Sequence, residues 1–290
     1  MEALRVPAFV EATRIESVAG VPGRYVCELD DAWIAPVIPF GGLMSAIAVR
    51  AMQAALPDPT HTLRTATTVF ASQIPIGRAE IDVEVLRAGR GMSQLMARVR
   101  SREDHGPGHV TTAVFGSSRR GFEYTDLVAP ESPPPLECAL PQDPPGEYAK
   151  WRAPVFENFE WRRVRGHAVW ENDWEAGGPA EQVRWMRFCE TPRLPTGELD
   201  PIAYFALADF MPGGIGQKLG PGYPIFFGFS CDLTLHFFET TRSEWILERI
   251  HCRRTHEGYA SGEIELWDED RRLLAYATQM MFLNFPKPEA

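Results

Sequence analysis

The chain has 290 residues, long enough for two domains that each bury a core, and 44% apolar with 23% charged residues fits a soluble globular protein. A net charge of −10 argues against nonspecific nucleic-acid binding, and no apolar run approaches the roughly 18 residues of a membrane span. Five cysteines without CxxC spacing point to free thiols of a cytoplasmic protein rather than to zinc, and residues 1–10, with Glu2 and no long apolar core, do not read as a signal peptide.

Residues 24–29 alternate and predict a strand. Pro39, Phe40, Gly41 and Gly42 then punctuate the chain and open a helix over 43–56, where Leu43, Ile47, Ala51 and Ala54 recur at helical spacing and Pro57 ends the run. Strands are expected at 63–73, 79–88, 93–101 and 109–116. Residues 129–148 hold seven prolines, which forbid a helix and starve a strand of donors, so an extended surface linker is expected there. The same order then returns. A strand is predicted at 182–189, and a helix apolar nearly all round at 201–211, broken by Pro212, Gly213 and Gly214. Strands follow at 227–239, 244–253, 258–267 and 273–283. The tryptophans 151, 161, 170, 174 and 185 gather after the linker, where packing is their expected role.

The two halves match when shifted by 167 positions without a gap. Thr67 falls on Thr234, Phe70 on Phe237, Gly91 on Gly258 and Phe115 on Phe282. One fold made twice and joined in tandem is implied, with an N-terminal domain at 1–125, a linker at 126–150 and a C-terminal domain at 151–290. The mismatches then become informative: Asp209 stands where the first copy has Gly42, and Gln279 where it has Thr112. Only the second copy carries the acid, so one working site per chain is expected.

Asp209 sits in an otherwise apolar stretch, where a carboxylate is costly without partners or a task. Thr234 lies in the alternating run 232–237, and Gln279 interrupts the final strand. A carboxylate, a hydroxyl and a carboxamide together can fix one water, which suits general-base chemistry on that water. Other motifs fail. Gly228-Phe229-Ser230-Cys231-Asp232 misses the last glycine of a nucleophile elbow, which makes Ser230 a poor nucleophile. Gly214-Ile215-Gly216 has Leu219 where a dinucleotide fingerprint needs glycine. The seven histidines, His105 among them, show no metal spacing, and the arginine groups 162, 163, 165 and 253, 254 read as solvated faces.

Phe40-Gly41-Gly42 at the first helix, residues 206–210, the strand 232–237 and the terminal Gln279 together resemble the acyl-CoA thioesterase II (TesB-like) family, over about residues 39–282. The resemblance implies an α+β tandem (double) hotdog, two antiparallel sheets each wrapped round a central helix. It also implies a trio of Asp, Thr or Ser, and Gln in the second domain, which Asp209, Thr234 and Gln279 are expected to fill. The implied reaction is hydrolysis of an acyl-CoA thioester by Asp-activated water, with no cofactor and no metal. Gly41 and Gly42 are candidates for the oxyanion site and substrate contact, because glycine lets a ligand approach the main chain. Acyl-CoA is the implied partner, and a homo-oligomer of such chains is compatible with the resemblance. Two alternatives remain open: a hotdog enoyl-CoA hydratase, whose His after the Asp is missing here, and a non-catalytic acyl-CoA or lipid-binding protein.

Overall fold

The computed structural model describes residues 8–103, 106–172 and 174–286; His105 and the side chain of Trp151 lie outside the described residues. The first half contains α1 (Phe9–Ala12), β1 (Glu16–Ser17), β2 (Arg24–Leu29), α2 (Gly41–Ala54), β3 (Thr62–Phe70), β4 (Gly77–Gly89), β5 (Met92–Ser101) and β6 (His109–Gly116). The second contains β7 (Phe159–Arg165), β8 (Glu181–Phe188), α3 (Tyr204–Ala208), α4 (Gly213–Leu219), β9 (Phe227–Ser230), β10 (Asp232–Phe237), β11 (Ile246–His256), β12 (Tyr259–Trp267) and β13 (Leu273–Asn284). All strands join one antiparallel sheet in the order β1-β2-β4-β5-β6-β3-β10-β13-β12-β11-β8-β7, with β9 also on β13. Each half curls round its apolar helical segment. Ala46, Ile47, Ala48 and Val49 of α2 and Phe205, Ala206 and Leu207 of α3 are wholly buried.

The repeat is visible in the pairing. Where the halves meet, β3 and β10 place Thr67 opposite Thr234, flanked symmetrically by Thr65 opposite His236 and Val69 opposite Asp232. The two threonine hydroxyls lie 3.0 Å apart. A local two-fold relation therefore runs through this pair. The bulge in β4 between Val85 and Arg87 recurs 167 residues later in β11, between Cys252 and Arg254.

The gapless shift fails by one residue at the last strand. Thr67 pairs with Thr112, but Thr234 pairs with Thr278 rather than Gln279. Thr112 and Thr278 are both exposed, while Ala113 and Gln279 are both buried. Ala113 is thus the true counterpart of Gln279, and the expected match of Thr112 is corrected. A side chain one position along a strand faces the other side of the sheet.

Three other expectations change. The helix expected at 201–211 is a 3-10 turn (Pro201–Ala203) running into α3, which stops before Asp209. Pro212 has no N–H and disfavours helix at the residue before it, so the chain restarts as α4 where a break is expected. The single strand expected at 227–239 is interrupted at Cys231, giving β9 and β10. Strand β7 was not expected at all.

The proline-rich segment does run over the surface, but it also packs. Pro133 O accepts from the Trp185 indole at 3.0 Å, and Ser132 O accepts from Arg271 at 2.9 Å. Cys138 joins Val183, Trp185, Trp245, Leu247 and Trp267 in an apolar cluster separate from the main core. The segment therefore covers the outer face of β8, β11 and β12. Between the halves runs a chain of aromatic contacts: Phe40–Phe210 at 5.0 Å, Phe159–Phe210 at 5.5 Å, Trp33–Phe159 at 5.8 Å and Phe9–Phe188 at 5.4 Å.

Candidate active site

Asp209 occupies the break after α3, with φ −92° and ψ 32°, directly in front of the first turn of α2 from the other half. Its Oδ2 accepts from the Gly42 amide at 2.8 Å. Its Oδ1 accepts from Gln279 Nε2 at 2.5 Å and from the Ser230 hydroxyl at 3.1 Å, and Gln279 Nε2 also lies 2.6 Å from Ser230 Oγ. Asp209 as a whole is 8% exposed. Burial raises its pKa to about 6, against the opposing pull of bonds from Gln279, Ser230 and Gly42. The N-terminus of α2 adds a partial positive charge on the same side.

The close approach of α2 depends on its two glycines. A Cβ on Gly42 would stand 2.4 Å from Phe205 O, and one on Gly41 would stand 2.7 Å from Asp209 Oδ2. Gly42 spends its amide on Asp209, whereas Gly41 lies on the wall of the cavity beside it. Of the two expected glycines, Gly42 therefore holds the acid and Gly41 faces the space where a substrate could sit.

The structure brings Asp209 and Gln279 together and keeps Thr234 apart from them. In β10 the buried residues are Leu233, Leu235 and Phe237, so Thr234 belongs to the opposite face, where its hydroxyl meets that of Thr67. The hydroxyl bonded to Asp209 is that of Ser230, which replaces Thr234 in the expected trio. Unbroken alternation would put Ser230 and Thr234 on one face. The irregularity at Cys231 shifts the register by one, so that Ser230 pairs with buried Met281 and Thr234 with exposed Thr278. From sequence Ser230 is expected only as a poor nucleophile, and nothing in the local alternation marks the slip.

Asp209, Ser230 and Gly41 border a cavity of about 810 Å3 that extends between the halves, with Leu140, Pro141 and Tyr148 of the proline-rich segment on its wall. Aromatic rings supply much of the lining, including Phe70, Phe156 and Phe210. His109 also borders it; burial lowers its pKa to about 4, leaving the ring neutral. Of the arginines expected on solvated faces, Arg162 pairs with Glu160, Arg163 with Glu171, Arg165 with Glu181 and Arg253 with Glu263. Among the described residues no group of three or more His, Cys, Asp or Glu could hold a metal ion, and no helix is long and apolar enough to cross a membrane. The cysteines Cys27, Cys138, Cys189, Cys231 and Cys252 are all free thiols.

Residues 29–116 match the acyl-CoA thioesterase N-terminal domain, and residues 130–283 match the acyl-CoA thioesterase C-terminal domain. Among solved structures, the chain is similar to a conserved protein of unknown function with a hot dog fold from Alicyclobacillus acidocaldarius. The TM-score is 0.78 at 24% identity, covering 96% of this chain and 98% of that one. It is also similar to the acyl-CoA thioesterase II TesB2 of Mycobacterium marinum, with a TM-score of 0.68 at 17% identity over 97% and 99% of the two chains. The tesB protein of Mycobacterium avium subspecies paratuberculosis gives 0.69 at 17% identity over 95% and 98%. At these identities the likeness speaks for the fold, a double hotdog. No curated protein matches the chain.

Proposed function

The chain belongs to the acyl-CoA thioesterase family, and from that membership we propose that it hydrolyses an acyl-CoA thioester by direct attack of a water activated at Asp209. The observation that carries this reading is the buried Asp209 carboxylate, bonded to Ser230, Gln279 and the Gly42 amide at the edge of the cavity. With its pKa raised to about 6, Asp209 is ionised at neutral pH yet a stronger base than an ordinary aspartate.

Gln279 Oε1 is buried without a hydrogen-bond partner among the described residues, next to the carboxylate its own amide nitrogen holds. A water donating one hydrogen to Asp209 and the other to Gln279 Oε1 satisfies both acceptors and presents its lone pair to a carbonyl carbon. Asp209 takes the proton as the C–O bond forms. The tetrahedral oxyanion lies at the start of α2, where the Gly41 amide is the natural donor. Collapse breaks the C–S bond, and the departing thiolate recovers the proton from Asp209 or from solvent. Ser230 keeps the carboxylate and the carboxamide in register and forms no covalent intermediate.

Thiol release from a panel of acyl-CoAs tests the reading, with Asp209→Asn as the control. A hydratase would consume an enoyl-CoA without releasing thiol, and a carrier would bind acyl-CoA and release nothing. Either result, or full activity in Asp209→Asn, overturns the proposal.

A further inference from the structure

The cavity wall holds an ion pair that the hydrolytic chemistry does not use. Arg184 of β8 stands opposite Glu248 of β11, and its Nε donates to Glu248 Oε2 at 2.7 Å. Arg184 is 5% exposed and Glu248 is fully buried. Their neighbours Met186 and Ile250 belong to the main core, so the pair faces inward, toward the helical segments. The guanidinium lies 4.9 Å above the ring of Phe210, the residue after Asp209, and 5.9 Å from Trp161. Arg184, Phe210 and Trp161 line the same cavity as Asp209 and Ser230.

Arg184 Nη2 has no hydrogen-bond partner among the described residues, and neither has Glu248 Oε1. Buried charges with bonds left unmade are costly, and an apolar pair of similar volume is often as stable or more so. The fold supplies its own control. The common bulge sets Glu248 of β11 against Ile81 of β4, and the residue paired with Ile81 is Tyr25, in the position of Arg184. Ile81 is fully buried and Tyr25 packs on the core, so this architecture closes at that place without any charge. The half that carries the ion pair is the half that carries Asp209.

Resting on the thioesterase reading, we propose that Arg184 determines specificity: its guanidinium donates to an oxygen on the acyl group, so the preferred substrates are acyl-CoAs bearing a hydroxyl, oxo or carboxylate oxygen on the chain. Glu248 fixes the guanidinium through Nε, and the rings of Phe210 and Trp161 hold its plane, which leaves its terminal N–H groups for the ligand. Burial pushes Glu248 up to about 7 against the attraction of Arg184, so its carboxyl can take a proton when a substrate carboxylate arrives.

The test compares kcat/KM for acyl-CoAs of matched chain length in three forms: plain alkyl, ω-hydroxy and ω-carboxy, each at a short, a medium and a long chain. A hydrogen bond from a buried guanidinium gives an expected preference of about 10- to 100-fold for an oxygenated form over its alkyl match. The arm that gains separates a neutral from an anionic substrate. In the double variant Arg184→Met/Glu248→Leu, which leaves no orphaned charge, that ratio falls to about one. Each ratio is taken within one protein, so a general loss of activity does not enter it. Alkyl forms hydrolysed by the wild type as well as their oxygenated matches overturn the proposal and leave the thioesterase reading standing. So does a wild-type preference that the double variant keeps. Thiol release from no substrate overturns both.

Discussion

Asp209 is held by three donors and still sits in surroundings that favour its neutral form. Its folded pKa of about 6 lies above the roughly 3.9 of an unfolded aspartate, so between those values the folded chain binds more protons than the unfolded one. The group therefore costs stability as pH rises through that window, and the full cost is present above about pH 6. Asp209→Asn removes it. The variant is expected to be more stable than the parent at pH 7–8, by up to about 3 kcal/mol, with the difference fading as pH falls toward 4. Denaturant unfolding across that pH range measures this, and an Asn variant less stable at pH 8 would contradict it. The same substitution should lower thiol release by about 100- to 10,000-fold. In the parent enzyme, kcat/KM should fall below about pH 6 with a single proton. Ser230→Ala is expected to cost about 10- to 1000-fold, while Thr234→Val, on the other face of β10, should stay within a few-fold of the parent. The reverse order would restore Thr234 to the site. Asp209 and Gln279 were legible in the sequence because each breaks an apolar pattern. Ser230 was not, because the one-residue slip at Cys231 decides which hydroxyl faces inward, and a slip leaves no trace in residue types.

At the scale of elements, the meeting of α2 and α3 sets the geometry of the site. Gly42→Ala forces a methyl against the Phe205 carbonyl and the Ala206 Cα, both main-chain atoms that cannot swing aside. The helices must separate, at an expected cost of about 1–3 kcal/mol, and the Gly42 amide leaves Asp209. A lower thermal midpoint together with a reduced kcat checks this; an unchanged midpoint would mean that the helices have slack. Strands with one buried face, such as β5 and β6, were readable from alternation, as was α2 from its spacing and its closing proline. The segment 201–219 was not. Residues 202–211 are buried on all sides, so their apolar side chains have no period to show where α3 ends and α4 begins. Strand β7 was hidden by Glu160, Arg162, Arg163 and Arg165, whose charges are satisfied by partners that no sequence pattern reveals.

At the scale of the whole molecule, the continuous sheet across β3 and β10 and the aromatic contacts Phe40–Phe210, Trp33–Phe159 and Phe9–Phe188 tie the halves together. A single cooperative unfolding transition is expected, with fluorescence and far-UV circular dichroism coincident; two separate transitions would show that the halves fold independently. The halves are nonetheless unequal in chemistry. Gly42 and Ala113 stand where the second half has Asp209 and Gln279, so the first half offers neither a base nor a carboxamide. Titration of Asp209→Asn with a non-hydrolysable acyl-CoA analogue should saturate at one equivalent per chain, and two equivalents of equal affinity would show a second full site. The duplication was legible because Thr67, Phe70 and Gly91 recur 167 residues later as Thr234, Phe237 and Gly258. Its failure at the last strand was not, since Phe115 and Phe282 match as letters while facing opposite ways in the sheet.

The bond from Gly42 to Asp209 joins residues 167 positions apart and spans the two halves. The chain thus resembles an enzyme split across two fragments and kept together by a tether. A cut in the proline-rich segment of the folded protein should leave activity intact so long as the fragments stay associated. Fragments produced separately should each be silent and recover turnover only on mixing, in proportion to the complex formed. Selection on such a chain acts on the inactive half as well: a change that loosens its first helix would disable an acid it does not itself carry.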